Sequence, residues 1–154
     1  MRIYLDACCV CRPFDDSSIE RNRIEAEAVL SVLSMVEQEK LTWIASAVLL
    51  AELSQTMEDE RRENALTMIS IADEVGSTPD RQQTEGLISL GFKPLDAMHL
   101  SAAIQSKCEA FLSTDDRLLR TARRNRDQLP LVVSNPLAFL AEQFDDHDSH
   151  HDAE

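Results

Sequence analysis

Four acidic side chains lie in apolar stretches of the sequence, where packing gives no reason for a carboxylate. They are Asp6, Glu52, Asp96 and Asp115. A buried carboxylate is costly unless it is paired or holds a cation, so acids in such places indicate a functional role. If the fold gathers the four, their oxygens form a hard ligand set suited to Mg²⁺ or Mn²⁺. The sequence therefore predicts an acidic metal site.

The chemistry of such a site is phosphodiester hydrolysis. One or two divalent ions would polarise the phosphate, lower the pKa of a bound water and stabilise the leaving oxygen. No arrangement of serine, cysteine or histidine competes as a nucleophile, and three glycines leave little to build a phosphate-binding loop. His99 lies one helical turn after Asp96 and is a candidate base, although a packed, hydrogen-bonded histidine is the more ordinary expectation.

Each acid also has an ordinary explanation when it is taken singly. Asp6 ends a strand at a local turn, and Glu52 is a solvated helix residue. Asp96 is a charge at a helix start, and Asp115 is an acid in the position of a helix cap. All four in such apolar contexts favour the shared metal site over four separate explanations.

Strand-like and helix-like segments alternate along the chain. Apolar runs predict strands at residues 2–6, 41–45, 110–113 and 131–133, with a weaker one at 74–76. Apolar periodicity and capping residues predict helices at residues 23–39, 46–57, 59–74, 79–91, 94–107, 115–125 and 136–144. This alternation indicates βαβ units, and hence an α/β fold with a mostly parallel sheet of four or five strands and helices on both faces.

The predicted elements place the four acids at one edge of that sheet. In open parallel sheets, ligands bind beyond the carboxyl ends of the strands, where the strand order switches. Asp6 and Asp115 follow strands directly, whereas Glu52 and Asp96 lie within the first two turns of predicted helices. Acids crowded together have raised or coupled pKa values unless divalent cations compensate.

The formal net charge of −13 argues against a protein that binds nucleic acid through bulk positive potential. Five acids lie in residues 145–154, so residues 1–144 still carry −8. We predict one domain, residues 1–144, followed by an acidic, disordered tail, residues 145–154. No apolar stretch reaches the length of a membrane span and no signal peptide opens the chain, so we expect a cytoplasmic protein.

Any nucleic acid must then be bound by local basic residues, by metal, or by both. Arg117, Arg120 and Arg124 are spaced to share one face of the helix that begins beside Asp115, and Arg12 follows the first strand. One interpretation is that these arginines hold the phosphates of a strand led over the metals. The alternative is that arginines near a helix C-terminus only complement the helix dipole.

At these residues the sequence resembles the PIN-domain family, and within it the VapC-like toxins. The resemblance rests on residues 3–6, 12–16, 46–52, 91–100 and 111–119. It implies a three-layer α/β/α domain and an endoribonuclease that cuts single-stranded RNA with the help of Mg²⁺ or Mn²⁺. The acidic positions of the family, both catalytic and metal-binding, fall on Asp6, Glu52, Asp96 and Asp115.

The resemblance also implies supporting residues and partners. The hydroxyl that supports the last acid falls on Ser113, and Asp116 is a candidate outer-shell acid. Cys8 stands where the family often has asparagine or serine. A cognate antitoxin with a segment in the active-site groove is expected as a partner, and often a homodimer.

Two other functions are compatible with the pattern. The first is a phosphatase or phosphotransfer domain with Asp6 as the nucleophile, which is weakened because Cys8 occupies the place of a second aspartate. The second is a degenerate PIN-fold module that binds a partner without cutting. We expect Asp6→Asn or Asp96→Asn to abolish cleavage and to leave the fold intact if the nuclease hypothesis holds.

Overall fold

A computed structural model describes the backbone of residues 1–151 and the side chains of residues 1–145. Its centre is a five-stranded sheet in which every neighbouring pair of strands is parallel. The strands are β1 (Arg2–Leu5), β2 (Thr42–Ala45), β3 (Glu74–Val75), β4 (Ala110–Leu112) and β5 (Val132–Ser134). Their order across the sheet is β3-β2-β1-β4-β5. The predicted α/β fold with a parallel sheet flanked by helices is confirmed.

Within residues 1–151, eight α-helices connect and follow the strands. They are α1 (Ala7–Cys11), α2 (Glu20–Glu37), α3 (Ala47–Ser54), α4 (Asp59–Ile69), α5 (Arg81–Ser89), α6 (Pro94–Gln105), α7 (Asp116–Arg124) and α8 (Pro136–His151). Short 3₁₀ turns occupy Arg12–Phe14 and Arg126–Gln128. None of the described helices is long and apolar enough to cross a membrane.

The central strand β1 is buried because strands pair with it on both sides. Ile3, Tyr4 and Leu5 are fully buried, and Tyr4 stacks on Phe111 of β4 with ring centroids 5.2 Å apart. A parallel sheet covered by helices gives near-continuous apolar strands rather than alternating ones. This is why β1 was recognisable from sequence and why the acid that ends it is conspicuous.

The strand order switches direction at β1, because the chain moves from β1 to β2 and β3 on one side and to β4 and β5 on the other. The carboxyl ends of β1 and β4 therefore flank a crevice of the kind that holds ligands in open α/β sheets. The backbone N–H of Asp6 donates to the carbonyl of Leu112 at 2.9 Å and closes the base of this crevice.

Most predicted elements are present. Helix α4 ends at Ile69 rather than at residue 74, because the chain turns there and forms β3 from Glu74. There are three further differences. The segment after Asp6 forms the short helix α1, since the Asp6 side chain accepts from the backbone N–H of Ala7 and caps it. Helix α5 begins at Arg81 rather than at Pro79, because the Asp80 carboxylate accepts from the N–H of Gln83.

The third difference concerns the end of the chain. Helix α8 continues to His151, past the end predicted at residue 144. Residues 152–154, the last part of the predicted acidic tail, lie outside the described residues. The division into a domain and a disordered tail stays a prediction.

Candidate metal centre at the carboxyl edge of the sheet

Asp6 lies at the base of the crevice and is only 6% exposed. One carboxylate oxygen, Oδ1, accepts from the N–H of Ala7 at 2.9 Å. The other, Oδ2, accepts from the Ser113 hydroxyl at 3.0 Å and faces the Cys8 thiol at 3.4 Å. Burial raises the pKa of Asp6, and the nearby charge of Glu52 raises it further, while His99 and the two hydrogen-bond donors act in the opposite direction.

Ser113 connects Asp6 to Asp115. Its hydroxyl donates to Asp6 and accepts from the backbone N–H of Asp115 at 3.1 Å. Asp115 in turn caps α7, because its Oδ1 accepts from the N–H groups of Arg117 and Leu118. Oδ2 of Asp115 has no hydrogen-bond partner among the described residues, so this oxygen is available to a cation.

Cys8 takes part in the same support through its sulfur. The thiol lies 3.4 Å from both Asp6 Oδ2 and Ser113 Oγ, and it accepts from the N–H of Thr114 at 3.3 Å. The Cys8 sulfur therefore lies where a polar side chain would connect the ends of β1 and β4. A thiol is a weaker donor than a hydroxyl or an amide.

Glu52 reaches the crevice from α3 and is oriented by a buried histidine. Its Oε2 lies 2.6 Å from His99 Nε2, and His99 is 1% exposed. On the other side of the ring, His99 Nδ1 lies 2.6 Å from the Tyr4 hydroxyl, which lies 2.6 Å from Ser46 Oγ. Ser46 is the N-cap of the same helix α3 that carries Glu52.

This chain of hydrogen bonds determines which nitrogen of a neutral His99 carries the proton. An ionised Glu52 only accepts, so Nε2 must donate to it. Nδ1 then accepts from the Tyr4 hydroxyl. The Tyr4 oxygen accepts from Ser46, whose own oxygen accepts from the N–H of Leu49 at 3.0 Å. Both nitrogens of His99 and the hydroxyls of Tyr4 and Ser46 are thus satisfied, which is what a rigid buried network requires.

Asp96 completes the arrangement from the first turn of α6, where it is half-buried. Partial burial and the charges of Asp6 and Asp115 raise its pKa from 3.8 to about 6. Because the charges of both Asp6 and Asp115 raise the pKa of Asp96, the three carboxylates share one electrostatic environment. Pro94 at the first position of α6 fixes the start of this helix.

The acidic oxygens of the centre fit a divalent cation. One oxygen of Asp6 and one of Glu52 lie within 4.8 Å of each other and of a His99 ring nitrogen. Both nitrogens of His99 are hydrogen-bonded to other side chains, so the carboxylates are the available ligands. Asp96 and Asp115 stand outside this tightest group, and the charges of Asp6 and Asp115 both act on Asp96. Among the residues that the structure describes, no lysine or arginine forms an ion pair with any of the four acids. Carboxylates that repel one another, with no cationic side chain paired to them, are suited to Mg²⁺ or Mn²⁺.

The comparisons with known families agree with this geometry. The sequence model of one family, the PIN domain, matches residues 3–124. The chain belongs to the PIN domain family. PIN domains are in general metal-dependent nucleases, and the acids described above supply this one with a possible metal site.

A search of curated proteins found no match to this PIN domain. Among solved structures it is similar to PAE2754 from Pyrobaculum aerophilum, with a TM-score of 0.49 and 13% sequence identity. The similarity covers 86% of this chain and 92% of that one.

Two residues of the PIN domain's centre were not predicted as members of it. His99 was noted as a possible base but expected to be a packed helix residue, and it is both buried and the partner of Glu52. Tyr4 lies within the strand predicted at residues 2–6, for which the sequence indicated no part in the site. The sequence signal for His99 as a member of the centre was its position three residues after Asp96 in a largely apolar helix segment.

Two of the predicted site residues are engaged elsewhere in the protein. Both oxygens of Asp116 accept from Arg21 at 2.8 Å. The Arg12 guanidinium contacts Asp15, Asn22 and Thr114 and lies 3.3 Å from Glu25. Arg12 therefore holds the loop after α1 against α2, and its predicted contact with RNA stays a prediction.

The remaining predicted arginines lie on α7. Arg117, Arg120 and Arg124 are all exposed. Their positions fall within about 60° of one another around the helix, as their spacing predicted. Asp115 is the N-cap of this helix, so the arginine face begins beside the acids and runs away from them.

Proposed function

We propose that this PIN domain is a Mg²⁺- or Mn²⁺-dependent endoribonuclease that cuts single-stranded RNA, and that it is the toxin of a toxin–antitoxin pair. The observation that carries the proposal is the convergence of Asp6 and Glu52, with Asp96 and Asp115 around them, at the switch point of the sheet. Without a cation this arrangement is electrostatically unfavourable, which is the expected property of a site built to hold one.

Each acid has a distinct part in this proposal. Asp6 and Glu52 hold the ion from positions fixed by Ser113 and His99 respectively. Asp96 and Asp115 face the same space and are the groups available to orient a water for in-line attack on phosphorus. When bound, the divalent ion stabilises the charge that develops on the phosphate and acidifies water. A new P–O bond forms to the water oxygen, the P–O bond to the leaving strand breaks, and a proton of that water passes to the leaving oxygen.

The toxin role rests on the resemblance of the acidic motifs and their surroundings to VapC-like proteins. An antitoxin that inserts a basic segment among the acids would block the site by supplying the cationic charge that the protein lacks there. The overall charge of −13 favours a basic partner segment. A homodimer is the assembly that we expect, in the cytoplasm.

The experiment is a cleavage assay with protein stripped of metal by EDTA and then titrated with Mg²⁺ or Mn²⁺. The substrates are a single-stranded RNA, the same RNA in a duplex, and the matching single-stranded DNA. We expect metal-dependent internal cleavage of the single-stranded RNA and loss of that cleavage in Asp96→Asn. Asp127→Asn, an exposed acid outside the site, is the matched control and should retain activity.

Metal-independent cleavage, or full activity in Asp96→Asn, would refute the nuclease assignment to this site. Cleavage of the DNA alone would refute the choice of RNA. Trapping of a phosphorylated Asp6 would favour the phosphotransfer alternative instead.

A further inference from the structure

The twelve arginines of this chain divide into two groups by their partners. All seven that precede α7 form ion pairs with acids: Arg2, Arg12, Arg21, Arg23, Arg61, Arg62 and Arg81. The other five lie within residues 117–126, and none of them forms an ion pair with any of the described side chains. In a protein with a net charge of −13 acids are abundant, so this separation requires an explanation.

Helix stability does not explain these five arginines. Arg123 and Arg124 lie in the last turn of α7, where a cation complements the helix dipole. Arg117 lies in the first turn, where the dipole disfavours a positive charge. The acid nearest to it in sequence, Asp116, is paired with Arg21 instead. Like charges three and four residues apart on one helix are also destabilising.

The geometry of α7 provides a continuous track for an anion. Arg117, Arg120 and Arg124 follow one face of the helix over about 10 Å, beginning beside Asp115. Arg120, Arg123 and Arg124 line a surface cavity of about 270 Å³. Arg126 follows at the end of the helix. Arg117, Arg120 and Arg124 are hereafter called the arginine track.

We infer that the arginine track binds the phosphate backbone of a single strand on one side of the bond that is cut. This inference rests on the proposed function, since it takes the acids to mark the position of the reacting phosphate. Arginine binds phosphate bidentately through its planar guanidinium. A row of guanidiniums that starts at the acids and continues along the helix fits a polymer of phosphates, whereas a mononucleotide would reach only its first member.

The structure also explains why a local track is needed. The domain as a whole repels polyanions, so binding cannot rely on overall charge. Uncompensated arginines in one line concentrate the attraction where the strand must pass. Pairing them with acids, as elsewhere in the chain, would cancel that attraction.

The test measures binding of fluorescent single-stranded RNA to protein in EDTA, where binding is independent of metal and of cleavage. The first variant is Arg117→Gln/Arg120→Gln/Arg124→Gln. The matched control is Arg23→Gln/Arg62→Gln/Arg81→Gln, which makes the same change in net charge at exposed or partly exposed arginines that are paired. Thermal unfolding of both variants checks that the fold is retained.

We expect the RNA affinity of the arginine-track variant to fall at least about tenfold. The magnitude of the slope of log K against log salt should fall by about 2, because each phosphate contact on a single strand contributes about 0.7. The control should stay within about twofold of the unaltered protein. The difference should shrink as the RNA is shortened to a mononucleotide.

Equal losses in the two variants would overturn the inference, because bulk charge alone would then account for binding. No loss in either would also overturn it. A change of oligomeric state in the arginine-track variant alone, with RNA affinity unchanged, would assign the track to a protein interface instead. Because the test measures binding and not cleavage, its result can be interpreted even if the nuclease proposal fails. An arginine track that binds RNA in a protein that does not cut RNA is a distinct outcome.

Discussion

The Nε2 atom of His99 lies 2.6 Å from Oε2 of Glu52, and this contact links an acid of the candidate metal centre to the buried core. His99 is held in turn by Tyr4, a residue of the central strand. Side chains that hold a ligand from behind fix its orientation and contribute to metal affinity. Glu52 is thus positioned by the sheet as well as by its own helix.

Replacing Tyr4 with phenylalanine should weaken metal binding without changing any carboxylate. The substitution removes the hydroxyl that donates to His99 Nδ1 and accepts from Ser46, so the ring loses the contact that holds it on the side away from Glu52. We expect Mn²⁺ affinity to fall about tenfold. Isothermal titration of the metal-free protein measures the affinity, and the nitrogen NMR shift of His99 Nδ1 reports the loss of its hydrogen-bond donor.

Thr121→Val is the control for deleting a buried hydroxyl. Thr121 is 2% exposed and donates to the Arg117 carbonyl, outside the acidic cluster. Both variants should lose stability, but only Tyr4→Phe should lose Mn²⁺ affinity. Unchanged affinity in Tyr4→Phe would show that Glu52 does not depend on this chain of hydrogen bonds.

Replacing Asp96 with asparagine should stabilise the metal-free protein above about pH 6. The pKa of Asp96 is raised to about 6 from 3.8, so between these values the folded state binds more protons than the unfolded state. The free energy of unfolding therefore falls as pH rises through that window and stays lower above it. The ionised Asp96 carboxylate destabilises the folded state above that window. Because Asp96 is half-exposed, solvent screening reduces this cost to about 1 kcal/mol.

The measurement is urea unfolding in EDTA at about pH 5 and about pH 8, with Asp127→Asn as the control. From the lower to the higher pH, the free energy of unfolding should fall more in the unaltered protein and in the control than in Asp96→Asn. An Asp96→Asn variant that is less stable than the unaltered protein at the higher pH would contradict the electrostatic account.

The positions of the acids could be predicted because each one violates a local rule. Asp6 interrupts an apolar strand pattern, and Asp96 follows a proline that opens a helix, so both could be placed at the carboxyl edge of a parallel sheet. The strand order itself, which brings β1 beside β4, depends on contacts across more than a hundred residues. It had to be assumed from sequence.

The hydrogen-bonded support of the acids was less predictable. Tyr4 lies in an apolar strand segment, so the sequence predicts a core residue. Nothing in the neighbouring sequence indicates that its hydroxyl forms hydrogen bonds with Ser46 and His99. The partners of the arginines were equally hidden, since Arg12 and Arg117 look alike in sequence. Only the fold shows that the first is enclosed by acids and that the second has no acidic partner among the described side chains.

Replacing Ser113 with alanine should weaken metal binding through two acids at once. The hydroxyl donates to Asp6 and accepts from the N–H of Asp115, so its loss leaves both carboxylates less well fixed. We expect Mn²⁺ affinity to fall about tenfold and the domain to lose about 1 kcal/mol of stability. Titration with Mn²⁺ and urea unfolding measure the two effects.

Ser54→Ala is the matched control for the Ser113 substitution. Ser54 is exposed and its hydroxyl donates to the carbonyl of Leu50 within α3. It should leave Mn²⁺ affinity unchanged. If Ser113→Ala also binds Mn²⁺ as tightly as the unaltered protein, the position of Asp6 is set by its own backbone and the cap of α1 alone.

Replacing Asp116 with asparagine tests whether this acid supports the metal or only the surface. Its two oxygens are occupied by the Arg21 guanidinium, and the side chains of both residues are more than half exposed. We therefore expect Mn²⁺ affinity to change less than about twofold and stability to change little, because exposed ion pairs contribute little to folding. Titration and urea unfolding at low and high salt measure both. A tenfold loss of Mn²⁺ affinity would instead make Asp116 an outer-shell acid of the centre, and would require that Arg21 releases it when the ion binds.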